Sequence, residues 1–206
     1  DAFEAYHRTS AAVWERQALI KANPLVGPEG LRARLGRAVD AFVYGRGLER
    51  AEIAEIARIR EKMAEERGGD GGQVNIKTGR GGLVDVEFAV QMLQLRHGHD
   101  HPAIRQRRTP DALAALRSSG LVPEEDATIL AEGYAFLRTL ENRLRIENDQ
   151  PVEAMDADIE AILPLARRLG YDGPDDEAVA ALRTDHLHHR EAIRSAHDRL
   201  FAGAAS

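Results

Sequence analysis

The sequence contains no cysteine among its 206 residues, and only 5% of its residues are aromatic. The lack of cysteine excludes disulfide frameworks, thiolate metal sites and cysteine nucleophiles, and it fits a reducing compartment. No apolar run approaches the roughly 18 residues that a membrane-spanning helix requires, and the first residues do not resemble a signal peptide. The formal net charge of −6 argues against broad binding to nucleic acid or anionic membranes, so an anion site would have to be local.

The residues that are abundant favour α-helices. Ala, Leu, Arg and Glu dominate the composition, and all four are compatible with helix interiors. Apolar residues recur at helical spacing along most of the chain, whereas no segment alternates convincingly with a period of two. A chain of this length can bury a core of its own. We therefore predict one all-α domain over residues 1–206, a bundle of about eight to nine helices.

Helix start and stop signals divide the chain into segments. The predicted helices span residues 1–21, 28–44, 50–67, 82–97, 109–119, 123–148, 159–169 and 175–201. Residues 68–72 are expected to form a hinge or exposed loop, and residues 203–206 a frayed end or a true C-terminus. In the first three helices the residues expected to face the core are Phe3, Tyr6, Val13, Trp14, Gln17, Leu19 and Ile20; Leu31, Leu35, Val39, Phe42 and Val43; and Ile53, Ile56, Ile59 or Arg60, and Met63.

The chain is organised around residues 75–87 (NIKTGRGGLVDVE), where a glycine-rich loop leads into a strongly apolar run. Glycine is required where the backbone has a positive φ or approaches another group closely. A loop that opens a helix also offers unpaired N–H groups and the positive end of the helix dipole, which suits a phosphate. The residues predicted to contact a nucleotide or phosphate are Lys77, Gly79, Arg80, Gly81 and Gly82. A tight turn with a solvated basic rim is the alternative, since the spacing fits neither a dinucleotide-binding motif nor a P-loop.

The helix predicted after this loop is apolar on two faces, which is typical of a helix at the centre of a bundle. Glu87, Gln91 and Gln94 form a polar strip between the two faces. Asp85 is expected on the opposite, wetter side of the helix. Because a carboxylate among apolar neighbours is costly unless it is paired, Glu87 is expected to have a partner.

A second acid lies in the apolar stripe of the helix predicted at residues 123–148. This acid is Glu141, with Arg138 three residues before it and Arg145 four residues after it, which are spacings that bring side chains together on a helix. We predict a structural ion-pair network that contains Glu87, Gln91, Arg138, Glu141 and Arg145. The alternative is a paired-carboxylate acid/base site formed by Glu87 and Glu141.

Histidines and a further group of arginines are weaker candidates. The histidines fall into two groups, His97, His99 and His101, and His186, His188 and His189. The first group alternates in a predicted loop, and His186 and His189 are three residues apart, so structural or surface roles are preferred over the helical i, i+4 pair with a third ligand that metal sites favour. The arginines, Arg105, Arg107 and Arg108, are expected to form a solvated surface, with a subunit or substrate contact as the alternative.

Four segments in this order resemble the glutamine synthetase adenylyltransferase family. They are residues 14–22 (WERQALIKA), 59–63 (IREKM), 76–91 (IKTGRGGLVDVEFAVQ) and 134–145 (YAFLRTLENRLR). The central motif is also similar to that of the PII uridylyltransferases, and residues 14–19 favour the adenylyltransferase. Residues 59–63 and a chain that ends soon after its last helix favour the C-terminal, adenylylating lobe.

The resemblance implies a cytoplasmic enzyme of nitrogen assimilation that attaches AMP from ATP to a tyrosine of glutamine synthetase, or removes it by phosphorolysis. It implies ATP and Mg²⁺ as cofactors of the intact enzyme, and glutamine synthetase, the PII signalling protein and the enzyme's own nucleotidyltransferase domain as partners. The family's acidic catalytic signature has no counterpart in this sequence. We therefore expect a helical bundle that is inactive alone and binds neither cofactor by itself. Two alternatives are an interaction module that docks PII or glutamine synthetase, and the equivalent bundle of a PII uridylyltransferase.

Overall fold

The computed structural model describes residues 5–6, 9, 11–67, 74–148, 154–155 and 158–205. Beside the helical residues 5–6 and 9, these ranges contain eight α-helices: α1 (Val13–Leu19), α2 (Glu29–Tyr44), α3 (Arg50–Arg67), α4 (Leu83–His97), α5 (Thr109–Ser118), α6 (Glu124–Asn148), α7 (Ile159–Arg168) and α8 (Asp175–Ala205). A 3₁₀ turn (Pro102–Ile104) precedes α5, and β1 (Val74–Asn75) pairs antiparallel with β2 (Ala154–Met155). The predicted all-α bundle is confirmed. None of the described helices is both long and apolar enough to cross a bilayer.

Helix α4 is the central element of the bundle, as its two apolar faces predicted. It packs against α1, α3, α5, α6 and α8. Val86, Ala89, Met92 and Leu95 are completely buried, and burying an aliphatic or methionine side chain contributes about 1.5–3 kcal/mol each. Because α4 is covered on almost every side, its few polar residues must find partners inside the protein.

The two longest helices, α6 and α8, pack along one another and close the bundle over α4. Gly133 of α6 allows their close approach, since a Cβ at this position would lie 2.6 Å from Ile193 Cδ1. Leu130 and Leu137 of α6 and Ala196 of α8 are completely buried beside this contact. Helix α8 continues to Ala205, beyond its predicted end at residue 201, so the expected fraying is wrong for residues 203–205. The buried side chain of Ala204 accounts for the extension.

The N-terminal region differs from the predicted single helix over residues 1–21. The chain is extended at Ala12 (φ −80°, ψ 161°), and α1 begins only at the next residue. Glu15 stabilises this start because its carboxylate accepts the Ala12 N–H at 3.2 Å and the Tyr6 hydroxyl at 3.0 Å. The break turns Trp14 outward, so its expected place in the core is wrong. Phe3 and residues 68–72 lie outside the described residues.

Helix α2 is covered along only one half of its apolar stripe. Val39 and Val43 are buried, whereas Leu31 is 55% and Leu35 38% exposed, contrary to prediction. A helical repeat identifies which side chains share a face, but neighbouring elements decide whether that face is covered. In α3 the sequence offered Ile59 and Arg60 for one inward position. The structure places Arg60 there, where it is fully buried.

Candidate functional site

The glycine-rich segment forms a tight turn between β1 and α4 that is held by its own backbone. Asn75 Oδ1 accepts the N–H groups of Lys77 and Thr78, each at 2.9 Å. The Gly79 N–H donates to the Asn75 carbonyl at 3.0 Å, and the Gly82 N–H donates to the Gly79 carbonyl at 2.9 Å. Most N–H groups of the turn therefore already have acceptors.

The first N–H groups of α4 are engaged in the same way. Leu83 donates to the carbonyl of Ile76 at 3.1 Å, and Val84 donates to the carbonyl of Lys77 at 3.0 Å. These are the donors that a helix start would otherwise offer to a phosphate. An anion that binds this turn would therefore be held by the side chains of Lys77 and Arg80 rather than by a backbone cradle.

Gly81 occupies the position of the turn with the strictest demand for glycine. Its φ is +75°, in the left-handed region, and an added Cβ would lie 2.1 Å from the carbonyl oxygen of Arg190 on α8. Its N–H donates to Asp85 Oδ2 at 2.5 Å. Helix α8 and the Asp85 side chain therefore both contact the turn at Gly81.

A buried ion pair between α3 and α4 also holds the turn in place. Arg60 Nε lies 2.5 Å from Asp85 Oδ1, and both side chains are fully buried. Arg60 Nη2 also donates to the Gly79 carbonyl at 2.8 Å. Burial lowers the pKa of Arg60, and the adjacent Asp85 carboxylate partly restores it. We call Arg60 and Asp85 the buried clamp. The expectation that Asp85 lies on a wet side of its helix is wrong, because Arg60 reaches it from the neighbouring helix.

Further charged groups of α8 surround the buried clamp. Arg194 Nη1 and His197 Nε2 each lie 3.9 Å from a carboxylate oxygen of Asp85. Burial lowers the pKa of His197, and the Asp85 carboxylate raises it. At the surface, Glu61 forms ion pairs with Arg80 and with Arg194. The predicted phosphate-contacting turn thus lies above a layered network of charges that the sequence pattern did not indicate.

Four of the five residues of the predicted ion-pair network fall into two neighbouring groups, and the fifth, Gln91, bonds to Gln17 instead. In one, Arg138 Nη1 and Arg145 Nη2 lie 2.5 and 2.9 Å from the two oxygens of the buried Glu141 carboxylate. In the other, Glu87 lies 3.3 Å from Lys21 Nζ and accepts the Tyr134 hydroxyl at 3.4 Å. Arg138 connects the groups, because its guanidinium lies 5.8 Å from the centre of the Tyr134 ring.

The remaining polar residues of the α4 strip bind other parts of the bundle. Gln17 Nε2 donates to Gln91 Oε1 at 2.9 Å, which joins α1 to α4. Gln94 Nε2 donates to the carbonyls of Ile104 and Gln106 at 2.7 and 2.8 Å, which holds the segment before α5. These contacts explain why amides are present on an otherwise buried helix.

The arginines of the group predicted at residues 105–108 have partners within the protein, and His186 is buried. The Nε atoms of Arg105 and Arg107 donate to the carbonyls of Gly98 and Ala22, at 2.7 and 2.8 Å. Arg108 lies 3.5 Å from Asp111. Burial lowers the pKa of His186 to about 4. Across the described ranges, no three His, Asp or Glu side chains are grouped so that they could hold a metal ion.

One buried cation escaped the sequence analysis. Arg16 of α1 donates to the carbonyls of Val43 and Arg46 at 2.9 and 2.8 Å, and it lies 3.5 Å from Glu52. It therefore joins α1 to the connection between α2 and α3. Nothing in the sequence indicated that Arg16 is buried, because most of its acceptors are backbone carbonyls of distant residues.

Comparison with known proteins identifies the family. Residues 50–201 match the family model described as GlnD PII-uridylyltransferase. Over 98% of its length the chain is 36% identical to the bifunctional glutamine synthetase adenylyltransferase/adenylyl-removing enzyme of Streptomyces avermitilis, and it covers 20% of that protein. The proteins of the same name from Corynebacterium glutamicum and Mycobacterium leprae are 34% and 38% identical over 98% and 96% of the chain.

The chain spans about a fifth of the length of these curated relatives. The matched region of the family model begins at α3 and ends within α8, so it includes the glycine turn, the buried clamp and the Glu141 ion pairs. The chain therefore belongs to the GlnD PII-uridylyltransferase family, as a helical segment whose named relatives are glutamine synthetase adenylyltransferases.

Proposed function

We propose that this chain is the non-catalytic helical part of a glutamine synthetase adenylyltransferase. The longer enzyme transfers AMP from ATP to a tyrosine of glutamine synthetase, or removes it by phosphorolysis. The observation that carries the proposal is the buried clamp, in which Arg60 and Asp85 are consumed in fixing the turn that bears Lys77 and Arg80. A rigid turn with two cations suits a part that positions phosphate for a neighbouring catalytic domain.

The buried carboxylates of Asp85 and Glu141 do not fit the role of Mg²⁺ ligands. Magnesium requires oxygen ligands with open coordination positions, whereas Asp85 is taken by Arg60 and Gly81, and Glu141 by two arginines. We therefore assign Mg²⁺ to the rest of the longer enzyme. The cationic side chains of Lys77 and Arg80 fit the phosphates of ATP, which they would help to orient.

The lobe, the localisation and the partners are proposed from the resemblance to the glutamine synthetase adenylyltransferase family. Residues 59–63 favour the C-terminal, adenylylating lobe. We propose a cytoplasmic enzyme that acts on glutamine synthetase, responds to the PII signalling protein and contacts this bundle through its own nucleotidyltransferase domain. The relatives named as adenylyltransferases favour this assignment over a uridylyltransferase bundle.

The nucleotide role is tested by substituting the two cations of the turn in the longer enzyme. Lys77→Ala and Arg80→Ala are each expected to lower kcat/KM for ATP by about tenfold or more, since each removes a charged contact to phosphate. The matched control is Lys62→Ala, because Lys62 is an exposed lysine of α3 that lies 3.7 Å from Glu66 on the same helix. Unchanged kinetics in both turn variants would contradict a nucleotide contact.

A docking module for glutamine synthetase is the second candidate function. It is favoured by exposed apolar side chains at and before the start of α2, where Leu25 is 74%, Val26 92% and Leu31 55% exposed. Apolar residues grouped at a surface are typical of protein interaction sites. In a binding assay with glutamine synthetase, Leu31→Glu would abolish binding under this hypothesis. Under the nucleotide hypothesis it would leave kcat/KM for ATP unchanged.

A further inference from the structure

An open groove lies between α5 and α6, away from the glycine turn. Its volume is about 840 Å³, which is within the usual range for sites that hold small molecules. Helices α5 and α6 supply most of its lining, together with Glu87 of α4 and with Lys21, which follows α1 in the chain. The groove is therefore built mainly on helices that pack into the core.

Side chains at the edges of the groove are mainly cationic. Its lining includes one acid, Glu87, and five cations: Lys21, Arg107, Arg108, Arg117 and Arg138. This excess contrasts with the net charge of −6 for the whole chain. A local concentration of positive charge on an acidic protein attracts anions to that place rather than to the surface in general.

Four of the five cations have a carboxylate partner within the bundle, and the most exposed of these four is Arg108. Lys21 lies 3.3 Å from Glu87, Arg117 pairs with Glu124, and Arg138 Nη1 lies 2.5 Å from Glu141. Arg117 and Arg138 are nevertheless about half exposed. A guanidinium has five N–H donors, so one carboxylate partner leaves donors for a second anion.

Arg107 and Arg108 lie next to each other in sequence, at the start of α5. Arg107 donates its Nε to the Ala22 carbonyl, which orients the guanidinium without neutralising it. Arg108 lies 3.5 Å from Asp111, and both side chains are largely exposed, so solvent weakens this pair. Arg107 and Arg108 thus carry most of the uncompensated charge of the groove.

The floor of the groove is apolar and consists largely of small side chains. Ala114 of α5 and Ala131 and Ala135 of α6 line it, with Leu113 beside them. Short side chains on both helices leave space that a ligand can enter. Tyr134 adds a ring whose hydroxyl bonds to Glu87. An apolar floor with cations at the edges suits a ligand that has a carbon skeleton and several anionic groups.

We propose that this groove is a binding site for a small organic anion with at least two carboxylate or phosphate groups. Arg107 and Arg108 bind one anionic group, and the exposed donors of Arg138 and Arg117 bind another across the alanine floor. The site is separate from the glycine turn, and its existence does not depend on the proposed nucleotide role. It would give the bundle a ligand of its own beside the substrates of the transferase.

Isothermal titration of this chain with citrate and with inorganic pyrophosphate, at constant ionic strength, tests the proposal. At least one of them is expected to bind with a Kd of about 1 mM or tighter, whereas acetate, with a single charge, binds far more weakly. The double variant Arg107→Gln, Arg108→Gln is expected to weaken this binding about tenfold or more. Arg58→Gln is the matched control, because Arg58 is an exposed arginine of α3 that pairs with Glu55.

A second variant blocks the groove without changing its charge. Ala135 is exposed on α6, so Ala135→Leu is expected to leave the melting temperature unchanged and to weaken binding about tenfold or more by filling the floor. No binding by either probe, or equal weakening by Arg58→Gln, would overturn the proposal. Binding of an Asp- and Glu-rich peptide in place of both small anions would also overturn it, because the groove would then be a protein-docking surface.

Discussion

The buried clamp allows one sharp prediction about stability. Asp85→Asn keeps the shape of the side chain and leaves an acceptor for the Gly81 N–H, but it removes the charge that neutralises Arg60. Because Arg60 is fully buried, its charge cannot turn to solvent. Breaking a buried ion pair by removal of one partner costs about 3–5 kcal/mol. We therefore expect Asp85→Asn to lower the free energy of unfolding by about this amount, although it changes very few atoms.

A double-mutant cycle separates this charge effect from a loss of packing. Arg60→Met is also expected to destabilise, since it leaves the Asp85 carboxylate buried without its cation. The double variant Arg60→Met, Asp85→Asn removes both charges, so its loss is expected to be smaller than the sum of the single losses by about 2 kcal/mol or more. The control Arg58→Gln is expected to change stability by no more than about 0.5 kcal/mol.

The measurement is urea-induced unfolding of this chain, followed by circular dichroism at 222 nm and pH 7. Free energies of unfolding are compared between variants that show the same dependence of this free energy on urea concentration. A loss below about 1 kcal/mol for Asp85→Asn, or single losses that simply add in the double variant, would refute the reasoning. Either result would mean that Arg60 and Asp85 do not depend on each other in the folded state.

Two further predictions concern the turn and the pH dependence of stability. Gly81→Ala is expected to lower the free energy of unfolding by about 2 kcal/mol or more, since φ is +75° and the Arg190 carbonyl blocks the Cβ. The control Gly36→Ala, in an open helical position, is expected to raise it by about 0.5–1 kcal/mol in the same urea assay. Equal effects of the two substitutions would contradict the steric argument. Burial, together with the nearby charges of Arg190 and His189, lowers the pKa of His186 from 6.5 to about 4. Between these two pH values the unfolded chain binds more protons than the folded chain. The free energy of unfolding therefore falls as the pH drops, by roughly 3 kcal/mol in total. Urea titrations from pH 7 to pH 4 are expected to show a flatter profile for His186→Leu and the original profile for the exposed control His188→Gln; an unchanged His186→Leu profile would rule out this histidine.

Local patterns in the sequence predicted most of the helices and the central place of α4, but not the break before α1. Periodicity alone identifies a helix that is apolar on two faces, and packing then has few choices for it. The pairing of Glu141 with Arg138 and Arg145 was also open to prediction, because all three lie on one helix at fixed angular positions.

Contacts between distant residues were not open to prediction in this way. The wet side expected for Asp85 was wrong because its partner, Arg60, comes from a different helix. Leu31 and Leu35 belong to a regular apolar stripe of α2, but they are exposed because no described neighbour covers them. The groove between α5 and α6 likewise depends on how two helices meet, which spacing along either helix does not reveal.

The central claim is that this bundle supports nucleotide transfer without performing it. The most direct measurement mixes this chain with ATP, Mg²⁺ and unmodified glutamine synthetase, and follows incorporation of labelled AMP into glutamine synthetase, with the longer enzyme as the positive control. We predict labelling by the longer enzyme and none by this chain alone. Labelled glutamine synthetase in the reaction with this chain alone would contradict the account.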